Sequence, residues 1–234
     1  MTKSAETAHD LVVFGATSFV GQILTRYLLE TYGVGQSVKW AIAGRSESKL
    51  NTLKSSLGDK ARDLPVILAD AADDAALKSM CEQTRVIIST VGPYALYGEP
   101  LVKACVQTGT DYCDLTGEVQ WIRKMVERYE AEAKTSGARI VHCCGFDSIP
   151  SDMGVWFLQN QAEQTFGMPC QDVRMRVKTA KGEFSGGTVA SMMNVAKEAA
   201  ADPKLRKELA NPFSICPPEH RSKTRQPSLK GAEF

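Results

Sequence analysis

None of the seven cysteines (81, 105, 113, 143, 144, 170, 216) forms a C-x-x-C pair, and their number is odd. Both facts speak against a disulfide framework and a structural zinc site. With only three histidines (9, 142, 220), no metal site is expected, and reduced cysteines acting as small hydrophobes fit a cytoplasmic protein. Met1 to Asp10 has no apolar core of a secretory signal. The charge-free stretch from Leu11 to Thr25 is broken by Gly15 and Gly21 and is too short to span a bilayer. Net charge is +1 with no basic cluster, which excludes a nucleic-acid binder driven by phosphate neutralisation. None of the six tyrosines (27, 32, 94, 97, 112, 129) is followed by lysine four residues later, so a Tyr-Lys proton relay is unavailable. From Thr31 to Ser46 there is no aspartate or glutamate.

What is present begins at Leu11. The run Leu11–Phe14 reads as a strand buried on both faces of a parallel sheet. Gly15, Ala16, Thr17, Ser18, Phe19, Val20 and Gly21 follow as a glycine-cornered turn into a helix, whose free N–H groups and positive dipole end suit a phosphate. Gly15 permits the tight turn and Gly21 close packing of helix on strand. Ser18 stands where G-x-x-G-x-x-G would place its middle glycine; its hydroxyl can donate to a phosphate, while its Cβ limits backbone approach. A strand–helix corner without a ligand is the alternative.

The next strand, Lys39 to Ala43, runs into Gly44, Arg45 and Ser46, with Lys49 one helical turn later. An NAD site needs a carboxylate about 20 residues past the glycines for the ribose hydroxyls, and that carboxylate is missing here. A guanidinium at this strand end pairs instead with a 2′-phosphate and stacks on adenine, so the implied cofactor is NADP(H). Solvated helix-start charges are the alternative for Arg45 and Lys49.

Further strands are expected at 66–68, 86–91, 112–115 and 139–144, alternating with amphipathic helices. The fold class is therefore α/β, a Rossmann-type doubly wound parallel sheet. Asp70, at a strand end, accepts from adenine or caps a helix. Val91, Gly92, Pro93 and Tyr94 open a loop expected at the nicotinamide half of the cofactor, with Pro100 starting the next helix. Cys143 and Cys144 are placed in the sixth strand, pointing to opposite faces. Asp147 and Ser148 precede the next helix as caps, or as a wall of the same cleft. Beyond Gly154 the texture changes. Val173, Met175 and Val177 alternate with Arg174, Arg176 and Lys178 as in a half-exposed antiparallel strand. Phe184 to Thr188 is a second glycine turn before a methionine-rich helix, read as core or as a lipid-pocket wall.

These segments together resemble the saccharopine dehydrogenase-like family, and within it the trans-acting enoyl reductases. The blocks are GATSFVG at 15–21, AGRS at 43–46, VGPYALYGEPLVKAC at 91–105, DYCDLTGE at 111–118, CGFDSIPSDMG at 144–154 and SGGT at 185–188. The resemblance implies three parts: a disordered N-terminus (1–10), an NADP-binding Rossmann domain (11–150), and the beginning of an α+β substrate and dimerisation domain (151–234) that continues past Phe234. It also implies NADP(H)-dependent reduction of an activated C=C bond in an acyl or lipid intermediate, a glycolipid-pathway intermediate being one such case. Two alternatives stay open: an imine or amino-acid substrate, as for saccharopine dehydrogenases, and a non-catalytic NADPH-binding or scaffold protein. Tyr94, Tyr97, Asp147 and Ser148 are the candidate catalytic groups, the tyrosines as proton donors or as ring packing beneath the loop. A homodimer and peripheral membrane association are further expectations; no nucleic acid, metal or transmembrane segment is expected.

Overall fold

The computed structural model describes residues 7–221 apart from 180 and 183. The expected disordered N-terminus therefore lies partly outside the described residues, as does the end of the expected second domain. Strand β1 (His9–Phe14) begins two residues before the expected domain boundary.

The first half is a regular alternation: α1 (Phe19–Tyr32), β2 (Trp40–Gly44), α2 (Glu47–Ser56), β3 (Val66–Leu68), α3 (Asp74–Glu82) and β4 (Thr84–Ser89). Then come α4 (Tyr94–Tyr97), α5 (Glu99–Thr108), β5 (Asp111–Asp114), α6 (Val119–Ser136) and β6 (Ile140–Val141). The six strands form one sheet in the order β3-β2-β1-β4-β5-β6, and every pairing is parallel. Strand order reverses between β1 and β4, which opens the crevice where such sheets bind ligands.

Successive strand residues face opposite sides, and β1 shows the consequence. Val12 joins a core with Met80, Val102 and Trp121 from α3, α5 and α6, while Val13 joins another with Leu28 and Leu50 from α1 and α2. Both valines are fully buried, as the unbroken apolar run requires. The Trp40 indole donates to the Gly33 carbonyl (2.7 Å) and fixes the end of α1 against β2. On the α1–α2 side, the buried core of the described residues contains nothing from β4, β5 or β6.

Three local expectations are corrected. The sixth strand ends at Val141, because the Asp114 carboxylate accepts from Cys143 N–H (3.1 Å) and the Asp114 carbonyl from Cys144 N–H (2.7 Å). Cys143 there has φ of 62°, so the two cysteines lie past the strand rather than alternating within it. Residues 172–179 form no strand; an alternating segment becomes one only when a neighbouring strand takes its N–H and C=O groups. The loop after β4 contains a short helix, α4, that periodicity does not reveal.

Past β6 lie α7 (Ile149–Phe166), α8 (Gly186–Ala201) and α9 (Pro203–Leu209). Only Ala162 of α7 is buried, while Trp156 and Phe157 are exposed. Met192 and Met193 of α8 are exposed as well, so neither lies in a core among the described residues.

Candidate cofactor site

The site is built where α1 meets β1. Gly15 has φ of 85°, a conformation L side chains rarely adopt, and a Cβ there would come within 2.6 Å of Val91 Cγ2. Gly21 is constrained by space: its Cβ would lie 2.3 Å from the Gly15 carbonyl oxygen. Helix and turn therefore touch backbone to backbone. Among the described residues, the N–H groups of Thr17, Phe19 and Val20 have no protein acceptor, leaving the end of α1 with donors for an anion.

Ser18 is committed elsewhere. Its hydroxyl caps α1 by accepting from Gly21 N–H (2.9 Å) and lies 2.9 Å from the Thr90 hydroxyl. Thr90 in turn donates to the Gly15 carbonyl (2.8 Å), with the Phe14 carbonyl at 3.2 Å. Each hydroxyl has one proton, so with Thr90 donating to Gly15, Ser18 must donate to Thr90. Its side chain braces the turn in this arrangement. Thr90 was absent from the sequence expectations; its only signal is a hydroxyl residue closing the apolar run of β4.

Gly44 ends β2 and Arg45 follows directly. Arg45 and Lys49 are exposed, and neither forms an ion pair among the described residues. Ser46 caps α2, its hydroxyl accepting weakly from Lys49 N–H (3.4 Å). Asp70 sits past β3, where its carboxylate accepts from Ala72 N–H (3.0 Å). The helix-capping alternative goes to Asp73, which accepts from Ala76 N–H (3.0 Å).

Pairing of β1 with β4 brings residues 90–94 beside the glycine turn. Tyr94 is buried: its hydroxyl donates to the Ser89 carbonyl (3.1 Å) and accepts from Leu115 N–H (3.4 Å). Burial and the nearby Asp114 carboxylate push its phenol well above the ordinary tyrosine range. The ring also packs on Trp121, with centroids 5.5 Å apart. Tyr97 is half-exposed. Asp147 is exposed, and Ser148 begins α7 without a side-chain capping bond.

Two buried carboxylates missed in the sequence stand at the end of β5 and in the turn that follows it. Asp114, 1% exposed, accepts from the Tyr112 hydroxyl (2.9 Å), Thr116 N–H (3.1 Å) and Cys143 N–H, and contacts His142 Nδ1 at 2.7 Å. Glu118, 2% exposed, accepts from Tyr94 and Ala95 N–H. Both lie in the DYCDLTGE block at 111–118, where nothing in the neighbouring residues marks either carboxylate as buried. Burial, with the neighbouring Cys144 and Asp114, pushes the Cys113 thiol up to about 12, away from reactive-thiol chemistry.

The parts fit an NADP-type ligand: a backbone cradle a Cβ would fill, free N–H groups beside it, and unpaired cations at the end of β2. Comparisons with known proteins agree. A trans-acting enoyl reductase of Mycobacterium bovis (strain BCG / Pasteur 1173P2) is 39% identical over 212 residues, covering 90% of this chain and 50% of the relative. A Mycobacterium tuberculosis (strain ATCC 25618 / H37Rv) protein provisionally given the same name is 40% identical over 227 residues, covering 95% of this chain and 54% of its own. The chain spans about half the length of these curated relatives. Apo saccharopine dehydrogenase (L-Glu forming) from Saccharomyces cerevisiae shares the fold at a TM-score of 0.52 and 20% identity, over 67% of this chain and 32% of the enzyme. The family model described as the saccharopine dehydrogenase NADP binding domain matches residues 11–141, more than half of the 234 residues, and the chain therefore belongs to the saccharopine dehydrogenase family through that domain.

Proposed function

We propose that this chain carries the cofactor half of an NADP(H)-dependent oxidoreductase that reduces an activated C=C bond in an acyl or lipid intermediate. The observation that carries the cofactor assignment is Arg45, an exposed guanidinium without an ion-pair partner among the described residues, at the carboxyl end of β2. The names of the mycobacterial relatives support the reaction class. Residues 11–150 serve as the cofactor domain in this reading, and residues from 151 onward contribute the substrate side.

When bound, NADPH supplies a hydride. The chain's own residues do the rest. Gly15 and Gly21 let the backbone close on the pyrophosphate, and the free N–H groups of α1 hold it. Arg45 and Lys49 take the 2′-phosphate, Arg45 as a planar fork. The Tyr94 hydroxyl is engaged by Ser89 and Leu115 inside the fold, so the proton donor proposed here is Tyr97, with Asp147 and Ser148 as further candidates. No helix among the described residues is long and apolar enough to cross a membrane.

The test compares NADPH and NADH affinity for the wild type and Arg45→Ala. Wild type should prefer NADPH; the variant should lose about tenfold or more in NADPH affinity, the scale of a charge-assisted contact, and lose much less in NADH affinity, where only the adenine stacking is shared. Equal effects on both coenzymes would remove Arg45 from phosphate recognition. For the chemistry, Tyr97→Phe in the full-length protein should lower turnover of an enoyl thioester more than Tyr94→Phe does.

A further inference from the structure

Glu118 is buried, yet among the described residues no cation pairs with it; three neutral donors surround its carboxylate instead. Tyr94 N–H donates to Oε1 (2.8 Å), Ala95 N–H to Oε2 (2.9 Å), and the Ser191 hydroxyl of α8 to Oε1 (2.8 Å). A carboxylate offers one oxygen to each amide, whereas glutamine would set an NH2 against one of them. The loop after β4 borders the crevice on the nicotinamide side of the glycine turn, and Ser191 approaches its base, 3.8 Å from a Cβ built on Gly92. Glu118 thus joins the loop, the start of α6 and a helix outside the sheet.

A second polar pair follows the same route. Gln120 Nε2 donates to Glu198 Oε2 (3.2 Å), and Asn194 Nδ2 donates to Oε1 of the same glutamate (3.0 Å). Ser191, Asn194 and Glu198 recur at helical spacing, so one face of α8 is directed at this junction.

We propose that Glu118 is a positioning residue that ties the nicotinamide-side loop to α8, so that the cofactor loop and the substrate-side helix hold one geometry. This inference rests on the NADP(H) reading of the site. Charge-assisted bonds to buried backbone N–H groups are strong and directional, and the loop segment they fix is short: α4 has four residues. Ser191 is the contact through which a shift of α8 reaches the loop.

Binding of NADP+ and of adenosine 2′,5′-bisphosphate, which lacks the nicotinamide half, separates positioning from general destabilisation. Glu118→Gln should weaken NADP+ by about tenfold, the scale of one charge-assisted hydrogen bond, and leave the bisphosphate within about twofold. Equal losses for both ligands, or none for either, would overturn the proposal. Should Glu118→Gln fail to fold, Ser191→Ala decides by hydrogen exchange in the ligand-free chain: exchange of the Tyr94 and Ala95 amides should speed several-fold, and unchanged exchange refutes the tie. If wild type binds neither ligand, the cofactor reading fails, and the same exchange measurement still decides whether α8 holds the loop.

Discussion

Gly21→Ala isolates the backbone contact on which the phosphate cradle depends. The new methyl carbon would lie 2.3 Å from the Gly15 carbonyl oxygen and 2.8 Å from both the carbonyl carbon and Cα of Ala16, all backbone atoms that no rotamer change can move aside. Ordinary contact begins near 3.4 Å, so α1 must retreat from the turn by about 1 Å, enough to carry a 2.9 Å bond past the hydrogen-bond range. Overpacking of this kind costs about 1–3 kcal/mol, and alanine's better helix propensity offsets up to about 1 kcal/mol of it. A net loss of about 1–2 kcal/mol lowers Tm by roughly 2–8 °C for a chain of this size. Binding should suffer more. If Phe19 and Val20 N–H move with the helix, two charge-assisted bonds are lost at about 1.5–3 kcal/mol each, a weakening of more than about a hundredfold. NADPH fluorescence titration alongside thermal unfolding measures both quantities. Gly154→Ala is the control, since Gly154 lies within α7 and a Cβ there meets nothing within 4 Å. Wild-type NADPH affinity in a folded Gly21→Ala variant would refute the cradle.

Thr90→Val keeps the shape of the side chain and removes its hydroxyl from Gly15, Phe14 and Ser18. It should cost about 1–3 kcal/mol in chemical denaturation, with Thr90→Ser restoring most of the loss; equal stability of valine and threonine forms would contradict the brace. His9 gives a pH signature. Burial holds its imidazole below the ordinary value of 6.5, with Asp10 opposing. The unfolded chain therefore takes up the proton at higher pH than the folded one. Stability should fall as pH drops from 6.5 through the folded-state value and level off below it. The wild-type minus His9→Gln difference in urea midpoint should show this fall, and a flat difference would rule out the His9 contribution.

The sheet was legible where neighbouring residues fix the structure. Val12 and Val13 announce burial on both faces, and Gly15 and Gly21 mark the turn into α1. Arg45 could be placed because it follows a strand directly. What stayed hidden depends on partners distant in sequence. Nothing near Asp114 shows that it will take the amide of Cys143 and end β6 at two residues. The alternation at 173–177 is a faithful pattern for a strand, but pattern supplies only one edge of a pairing. Tyr94 illustrates the same limit within the site: its position in the loop was readable, whereas the direction of its hydroxyl follows from Ser89 and Leu115.

Ser18 shows how a departure from a glycine pattern becomes part of the site's construction. A middle glycine serves by letting the backbone approach a pyrophosphate, and a side chain there should weaken the cradle. In this fold the added Cβ carries an oxygen that accepts from Gly21 N–H and meets Thr90, whose hydroxyl reaches the Gly15 carbonyl. One hydroxyl thereby links the helix cap, the end of β4 and the carbonyl that Gly21 abuts. The free donors of α1 keep their direction because the groups around them are already paired with protein. Preorganised N–H groups lose less freedom on binding than donors that must be ordered by the ligand. Serine therefore exchanges some closeness of approach for rigidity, and the cradle depends on Ser18 and Thr90 through their bonds to each other and to the turn.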